Sequence, residues 1–170
     1  MIQPEKLIAL PTRAFIAIEI VLDIAWHSGG KLVSSNDITN RAAISRRSLE
    51  PILQELTRAQ ILAGVRGPHG GYRLARERRN ITLGMILQAL MTDIPSKSRK
   101  NSEKDRAGQG IDHLTPSTSP LSQKVILPMW QDMSHKLWQE LAPLTIEQLC
   151  QRAEAAKIPS QGRISGDFEI

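Results

Sequence analysis

DITNRAAISRRSLEPILQEL, Asp37–Leu56, and the VRGPHGGYRLAR that follows at Val65–Arg76 are the stretch that decides the fold. Ser34-Ser35-Asn36-Asp37 supplies N-cap oxygens and an early acid for a short helix ending near Ala43. After a tight turn, Ser45 can cap a second helix reaching about Ala59. Its Leu49, Ile52, Leu53 and Leu56 fall at the i, i+3, i+4, i+7 positions that one buried helical face requires. Two short helices joined in this way predict a helix-turn-helix. Pro51 lacks an N–H and disfavours helical geometry at Glu50, so a disturbed start to the second helix is expected. Beyond it, Ile61–Gly67 and Tyr72–Ala75 flank a Pro/Gly turn and read as a β-hairpin.

Working outward, Thr12–Trp26 is apolar almost all round, as a core helix is, and Ser28-Gly29-Gly30 ends it. Thr82 can cap a fourth helix through Leu90. Helix, helix-turn-helix, hairpin, helix is the order of a winged helix. The fold class expected is therefore mainly α with a small β-hairpin, a winged helix-turn-helix over residues 1–92. Residues 93–120, rich in Ser, Gly, Pro and mixed charge, read as a flexible linker or irregular loop. Helical periodicity returns over 121–158 as a long helix and a short one opened by Thr145, and 159–170 reads as a frayed tail.

Net charge is +5, yet the positive excess is local. Arg41–Arg79 carries nine arginines against Glu50, Glu55 and Glu77, a net of +6, so the other residues together carry −1. Arginine's planar fork suits phosphates and guanine edges, and such concentration predicts a polyanion-binding face. No apolar run reaches the ~18 residues of a membrane span, and the N-terminus does not read as a secretion signal, so a cytoplasmic protein is expected. Cys150 is the single cysteine; it forms no internal disulfide and holds no zinc or cluster by itself.

In a helix-turn-helix the start of the second helix meets base edges, which nominates Ser45, Arg46, Arg47, Ser48 and Glu50. Arginine matches guanine, whereas Glu50 either accepts from cytosine or merely orients a neighbouring arginine. On the wing, Arg66 at the root and Arg73 and Arg76 beyond it are placed to reach phosphates or the minor groove, and His69 at the tip is placed to touch DNA. Gly70 and Gly71 are expected to permit positive φ and a close approach of backbone to DNA. Tyr72 and Leu74 should face inward while Arg73 faces out. No Gly-Lys-Ser/Thr follows the glycines, so a nucleotide-binding loop is not supported.

These motifs, with ITLGMILQAL at Ile81–Leu90, resemble the DNA-binding half of the Rrf-two family of winged-helix transcription regulators, the IscR/NsrR/CymR-like proteins. A weaker resemblance extends to a long dimerisation helix, here PMWQDMSHKLWQEL at Pro128–Leu141, and to the short helix LTIEQL at Leu144–Leu149. The resemblance implies transcription regulation by a homodimer on duplex DNA. Family members that sense iron, nitric oxide or cluster status carry three cysteines between the fourth helix and the dimerisation helix. Here Leu90–Val125 contains none, so the cluster is not carried over and no cofactor is expected. Asp93, Asp112 and His113 lie there at irregular spacing and read as solvated loop residues. Cys150 reads as a small buried hydrophobe, with a redox thiol as the alternative.

Ile126, Met129, Trp130, Met133, Leu137 and Leu141 form an apolar stripe that calls for a partner, and a twofold dimer would match a palindromic operator. No nucleophile–base pair, paired carboxylates or metal-ligand spacing points to an enzyme. The expectation is a non-enzymatic, sequence-specific repressor or regulator. The alternative is a winged-helix protein–protein module that no longer binds DNA.

Overall fold

A computed structural model describes residues 11–91 and 119–162. The chain divides into two compact units, residues 1–93 with 142–170, and residues 94–141.

In the first unit, α1 (Thr12–His27) buries Ala14, Ala17, Ile20, Val21, Ile24 and Ala25 on one arc. Not all of its apolar surface is enclosed: Phe15 lies off this arc and is 62% exposed. Gly29 and Gly30, with φ of +47° and +85°, turn the chain out of the helix. α2 (Ser35–Ala42) starts in a capping box in which Ser34 and Asp37 satisfy each other's backbone N–H groups, and Ala43 ends it in the left-handed region. α3 (Arg46–Arg58) is capped by the Ser45 hydroxyl and buries Leu49, Ile52, Leu53 and Leu56. Pro51 sits inside this helix without ending it.

Strands β1 (Leu62–Val65) and β2 (Gly71–Leu74) pair antiparallel, Leu62 opposite Leu74 and Val65 opposite Gly71. Val33 and Tyr72 exchange both backbone hydrogen bonds, at 2.9 and 2.8 Å, and so fasten the chain ahead of α2 to the hairpin. Tyr72 and Leu74 are half-buried and Arg73 is exposed, as the strand alternation requires. A 3₁₀ turn (Arg78–Asn80) leads to α4 (Leu83–Met91), where Thr82 Oγ1 accepts from Met85 N–H.

The second unit, in its described part, is a helix whose π-turn (Ser122–Ile126) runs into α5 (Leu127–Leu141). Leu127 N–H reaches back to Ser122 O, one residue further than an α-helix allows. Pro128 follows directly; its missing N–H and its ring disrupt the preceding turn, which absorbs an extra residue.

Helix α6 (Ile146–Ala155) departs from the sequence grouping, which set it with the long helix over 121–158. It belongs to the winged-helix unit instead. Leu83 N–H donates to Leu144 O and Ile146 N–H to Ile81 O, at 2.8 and 2.9 Å. Ile146, Cys150 and Ala153 then complete the core. Burying a residue such as Ile146 is worth roughly 1.5–3 kcal/mol, which favours docking over an exposed helix.

Of the expected tail, residues 159–162 are described, and they are tied to α1. Trp26 Nε1 donates to Pro159 O, the buried Ser160 hydroxyl donates to Trp26 O at 2.6 Å, and Gln161 N–H donates to His27 Nδ1 at 3.1 Å. This strap closes the end of α1 that the core residues leave open. The linker reading falls almost wholly on residues 92–118, and Asp93, Asp112 and His113 with it, outside the described residues.

Candidate nucleic-acid interface

Ser45 and Ser48 open α3 as a local pair: Ser48 N–H donates to Ser45 Oγ, and the two hydroxyls lie 2.9 Å apart. This cap leaves Arg46 and Arg47 exposed on the first turn. Glu50 accepts from Arg46 Nε at 3.0 Å one turn earlier. The pair is exposed, so it contributes direction to Arg46 more than stability.

On the wing, Arg66, His69 and Arg73 are all exposed. The glycines act differently from the expectation. Positive φ falls on Gly67 (+123°), whereas neither Gly70 nor Gly71 has it. Those two are required for space: a Cβ on Gly70 would meet Val65 O at 2.3 Å, and one on Gly71 would meet Val33 O at 2.6 Å. The close backbone approach is thus within the chain, and it presses the wing root against the start of α2.

A groove of about 890 Å³ lies between α3, the start of α2 and the wing. Arg46, Arg66, Gly70 and Gly71 line it, joined by Ser35, Asn36, Gln54, Thr57 and Arg58, which the sequence reading did not nominate. The missed helix residues carried a signal: 46, 50, 54 and 58 repeat at four-residue spacing and so share one face.

The arginine cluster separates into structural and available members. Arg41 donates to both carboxylate oxygens of Asp23, and Arg79 pairs with Glu77. Outside the cluster, Arg13 pairs with the buried Glu55 across α1 and α3. Among the described residues, Arg47, Arg66, Arg73 and Arg76 have no carboxylate partner. Arginines without partners, held on a rigid helix and hairpin beside a groove, can neutralise phosphates and read base edges.

On the other unit, Ile126, Met129, Trp130, Met133 and Leu137 are exposed and Leu141 is half-buried. Among the described residues, no group of three or more His, Cys, Asp or Glu side chains is placed to hold a metal, and no helix is long and apolar enough to cross a membrane.

Comparison with known proteins agrees with this geometry. Residues 10–152 match the family model Rrf2, described as an iron-dependent transcriptional regulator. The HTH-type transcriptional regulator IscR of Vibrio atlanticus is 30% identical over 149 residues, which span 88% of this chain and 79% of that protein. IscR of Pectobacterium atrosepticum is 28% identical over 88% of this chain and 83% of its own. Among solved structures, T. potens IscR superposes with a TM-score of 0.66 at 25% identity, covering 91% of this chain and 95% of that one. CymR, the global cysteine regulator of B. subtilis, shares the fold with a TM-score of 0.61 at 20% identity, over 86% and 98% of the two chains. With a helix-turn-helix, a wing and a family match across most of its length, the chain belongs to the Rrf2 family and is a DNA-binding transcription regulator of the winged-helix type.

Proposed function

We propose that this regulator is a cytoplasmic homodimer that represses by occupying a palindromic operator, without an iron–sulfur cluster and without catalysis. The observation that carries the reading is the set of exposed arginines without carboxylate partners on α3 and the wing, Arg47, Arg66 and Arg73. Arg47 and Ser48, on the first turn of α3, address the major groove. Arg66, His69 and Arg73 address the backbone and the adjacent minor groove. The exposed stripe Ile126, Met129, Trp130, Met133 and Leu137 supports the dimer, because an apolar row of this length is ordinarily covered.

The donor set does not fit the iron that the family description implies. A cluster needs several thiolates, and the full sequence holds one cysteine. Cys150 is 3% exposed and packs in the core with residues of α1 and α6. The regulatory signal is therefore assigned to something other than a cluster.

The test is selection of bound duplexes from a random library by the full-length protein, followed by sequencing. A twofold-symmetric consensus whose half-sites lie about one helical turn or a multiple apart is expected. Recovery of unenriched DNA would overturn the sequence-specific reading and favour a protein-binding module.

A further inference from the structure

Resting on the DNA-binding reading above, we infer that the Arg13–Glu55 pair is a positioning device for recognition: it fixes the rotation of α3 about its own axis and so aims Arg47 at the duplex. Glu55 is a buried carboxylate on the helix that carries the interface, and the interface itself does not use it. Its side chain is 9% exposed, and Oε1 accepts from Arg13 Nη2 of α1. Oε2 is fully enclosed and has no hydrogen-bond partner among the described residues. A carboxylate held on those terms is a poor stabiliser of a fold. Desolvation acts on both oxygens, and only one of them gains a compensating donor. Apolar side chains of similar volume would pack in its place without that penalty.

Its place on the helix shows what the pair does instead. Successive residues turn by about 100° around an α-helix. Leu49, Ile52, Leu53 and Leu56 therefore make one buried row, and the exposed Arg47 lies about 180° from Leu56, facing away from the core. Glu55 stands on one flank of that row. Thr57, about 160° from it, stands on the other flank, where it lines the groove with the wing. The row is apolar, and apolar contacts are non-directional, so they hold α3 against the core without setting how far it is rolled. A hydrogen-bonded carboxylate on the flank does have a direction. Side chains reach about 5–6 Å from the helix axis, so a roll of about 20° displaces Arg47 by about 2 Å. Two parallel hydrogen bonds to one base tolerate only about 0.5 Å.

The experiment combines thermal melting with fluorescence-anisotropy titrations over a series of salt concentrations. The full-length protein is titrated on the duplex selected by the parent and on a scrambled duplex of equal length. The variants are Glu55→Gln alone, and Arg13→Met together with Glu55→Met. The double variant should melt at or above the parent temperature, because an enclosed charge is replaced by apolar volume. On the scrambled duplex it should keep the parent's affinity and salt slope, since no phosphate contact is removed. Its ratio of selected to scrambled affinity should narrow by roughly 5- to 150-fold, the worth of one base contact. Glu55→Gln should keep most of the ratio, because the amide oxygen still accepts from Arg13. A parent ratio in the double variant overturns the positioning role and leaves the DNA-binding reading intact. So does a double variant that melts below the parent or fails to fold, which would make the pair a stabilising bridge. Loss of the ratio in Glu55→Gln to the level of the double variant overturns it too, since the directional bond would survive there. A parent that does not distinguish the two duplexes overturns the sequence-specific reading as well.

Discussion

Arg41 lays its Nε and Nη2 across the two carboxylate oxygens of Asp23, each at 2.8 Å, and donates from Nη1 to Gln161 Oε1 at 2.7 Å. One guanidinium thereby ties the first helix of the helix-turn-helix to α1 and to the C-terminal strap. The hydrogen bonds to Asp23, followed by that residue's charge, hold Arg41 more firmly protonated than usual against the opposing effect of burial. Arg41→Ala should lower stability by about 1–3 kcal/mol, less than a fully enclosed pair because water still reaches both groups. Urea unfolding should show a lower midpoint at unchanged m. The salt slope of DNA binding should stay at the parent value; a flatter slope would move Arg41 into the interface.

Close by, His27 makes the strap sensitive to pH. Its Nδ1 accepts from Gln161 N–H, which a protonated ring cannot do. Burial first, and then the charge of Arg41, lower its pKa from the ordinary 6.5, with Asp23 pulling the other way. Between that lowered value and 6.5 the unfolded chain binds more protons than the folded one. Stability from this group is therefore complete above pH 6.5 and is lost as pH falls through the window. Glu19 acts oppositely: burial and then the charge of Asp23 raise its pKa above 4.5, so its contribution declines as pH rises through that lower window. Comparing His27→Asn with the parent separates the two. Between about pH 7.5 and about pH 5.5 the parent's urea midpoint should fall further than the variant's. Equal falls would remove His27 as the cause.

The helix-turn-helix and the hairpin were legible because their signals are local. Ser34, Ser45, Thr82 and Thr145 each cap a helix from within three residues, and Leu49, Ile52, Leu53 and Leu56 declare their face by spacing alone. What escaped depends on pairs distant in sequence. Nothing near Leu144 reveals that its carbonyl receives Leu83 N–H, so α6 could not be assigned to the core from its own residues. Likewise Arg41 and Arg46 read alike until Asp23 claims one of them. The wing glycines were noticed for the right loop and the wrong reason, since φ and available space are set by what lies opposite, here Val33 and Val65.

Gly71→Ala tests that correction. The added methyl would stand 2.6 Å from Val33 O, a main-chain atom already bonded across to Tyr72. Relief requires the wing root to move away from the start of α2, at a cost of roughly 1–3 kcal/mol. Urea unfolding should register that loss, and DNA affinity should drop because Arg66 is carried with the hairpin. A variant as stable as the parent, binding equally well, would show that the approach is not needed.

Cys150 and iron can be examined on one preparation. Protein purified without oxygen should be colourless and free of stoichiometric iron, since a single buried thiol offers no cluster site. The same thiol should resist maleimide until denaturant is added, because attack needs an accessible thiolate. A visible absorption band with about two or more irons per chain would refute the first expectation. Rapid labelling of the native protein would refute the second and reopen the redox reading.

The dimer proposal is tested most directly on α5. Met133 is 46% exposed and Leu137 37% exposed, one turn apart on the stripe that begins at Ile126. Placing Asp at both positions would bury unpaired charge at the centre of a twofold interface, at several kcal/mol each. The double variant should therefore sediment as a monomer. Its affinity for the selected duplex should fall by about 10²–10⁴, since the second half-site no longer benefits from the high effective concentration that binding at the first creates. The winged helix should remain folded, because Ile20, Ile24, Leu53 and Leu56 lie in its own core. Analytical ultracentrifugation, far-UV circular dichroism and a duplex titration on the one variant give the three readings together. A variant that stays dimeric, or a folded monomer binding as tightly as the parent, would place the interface elsewhere.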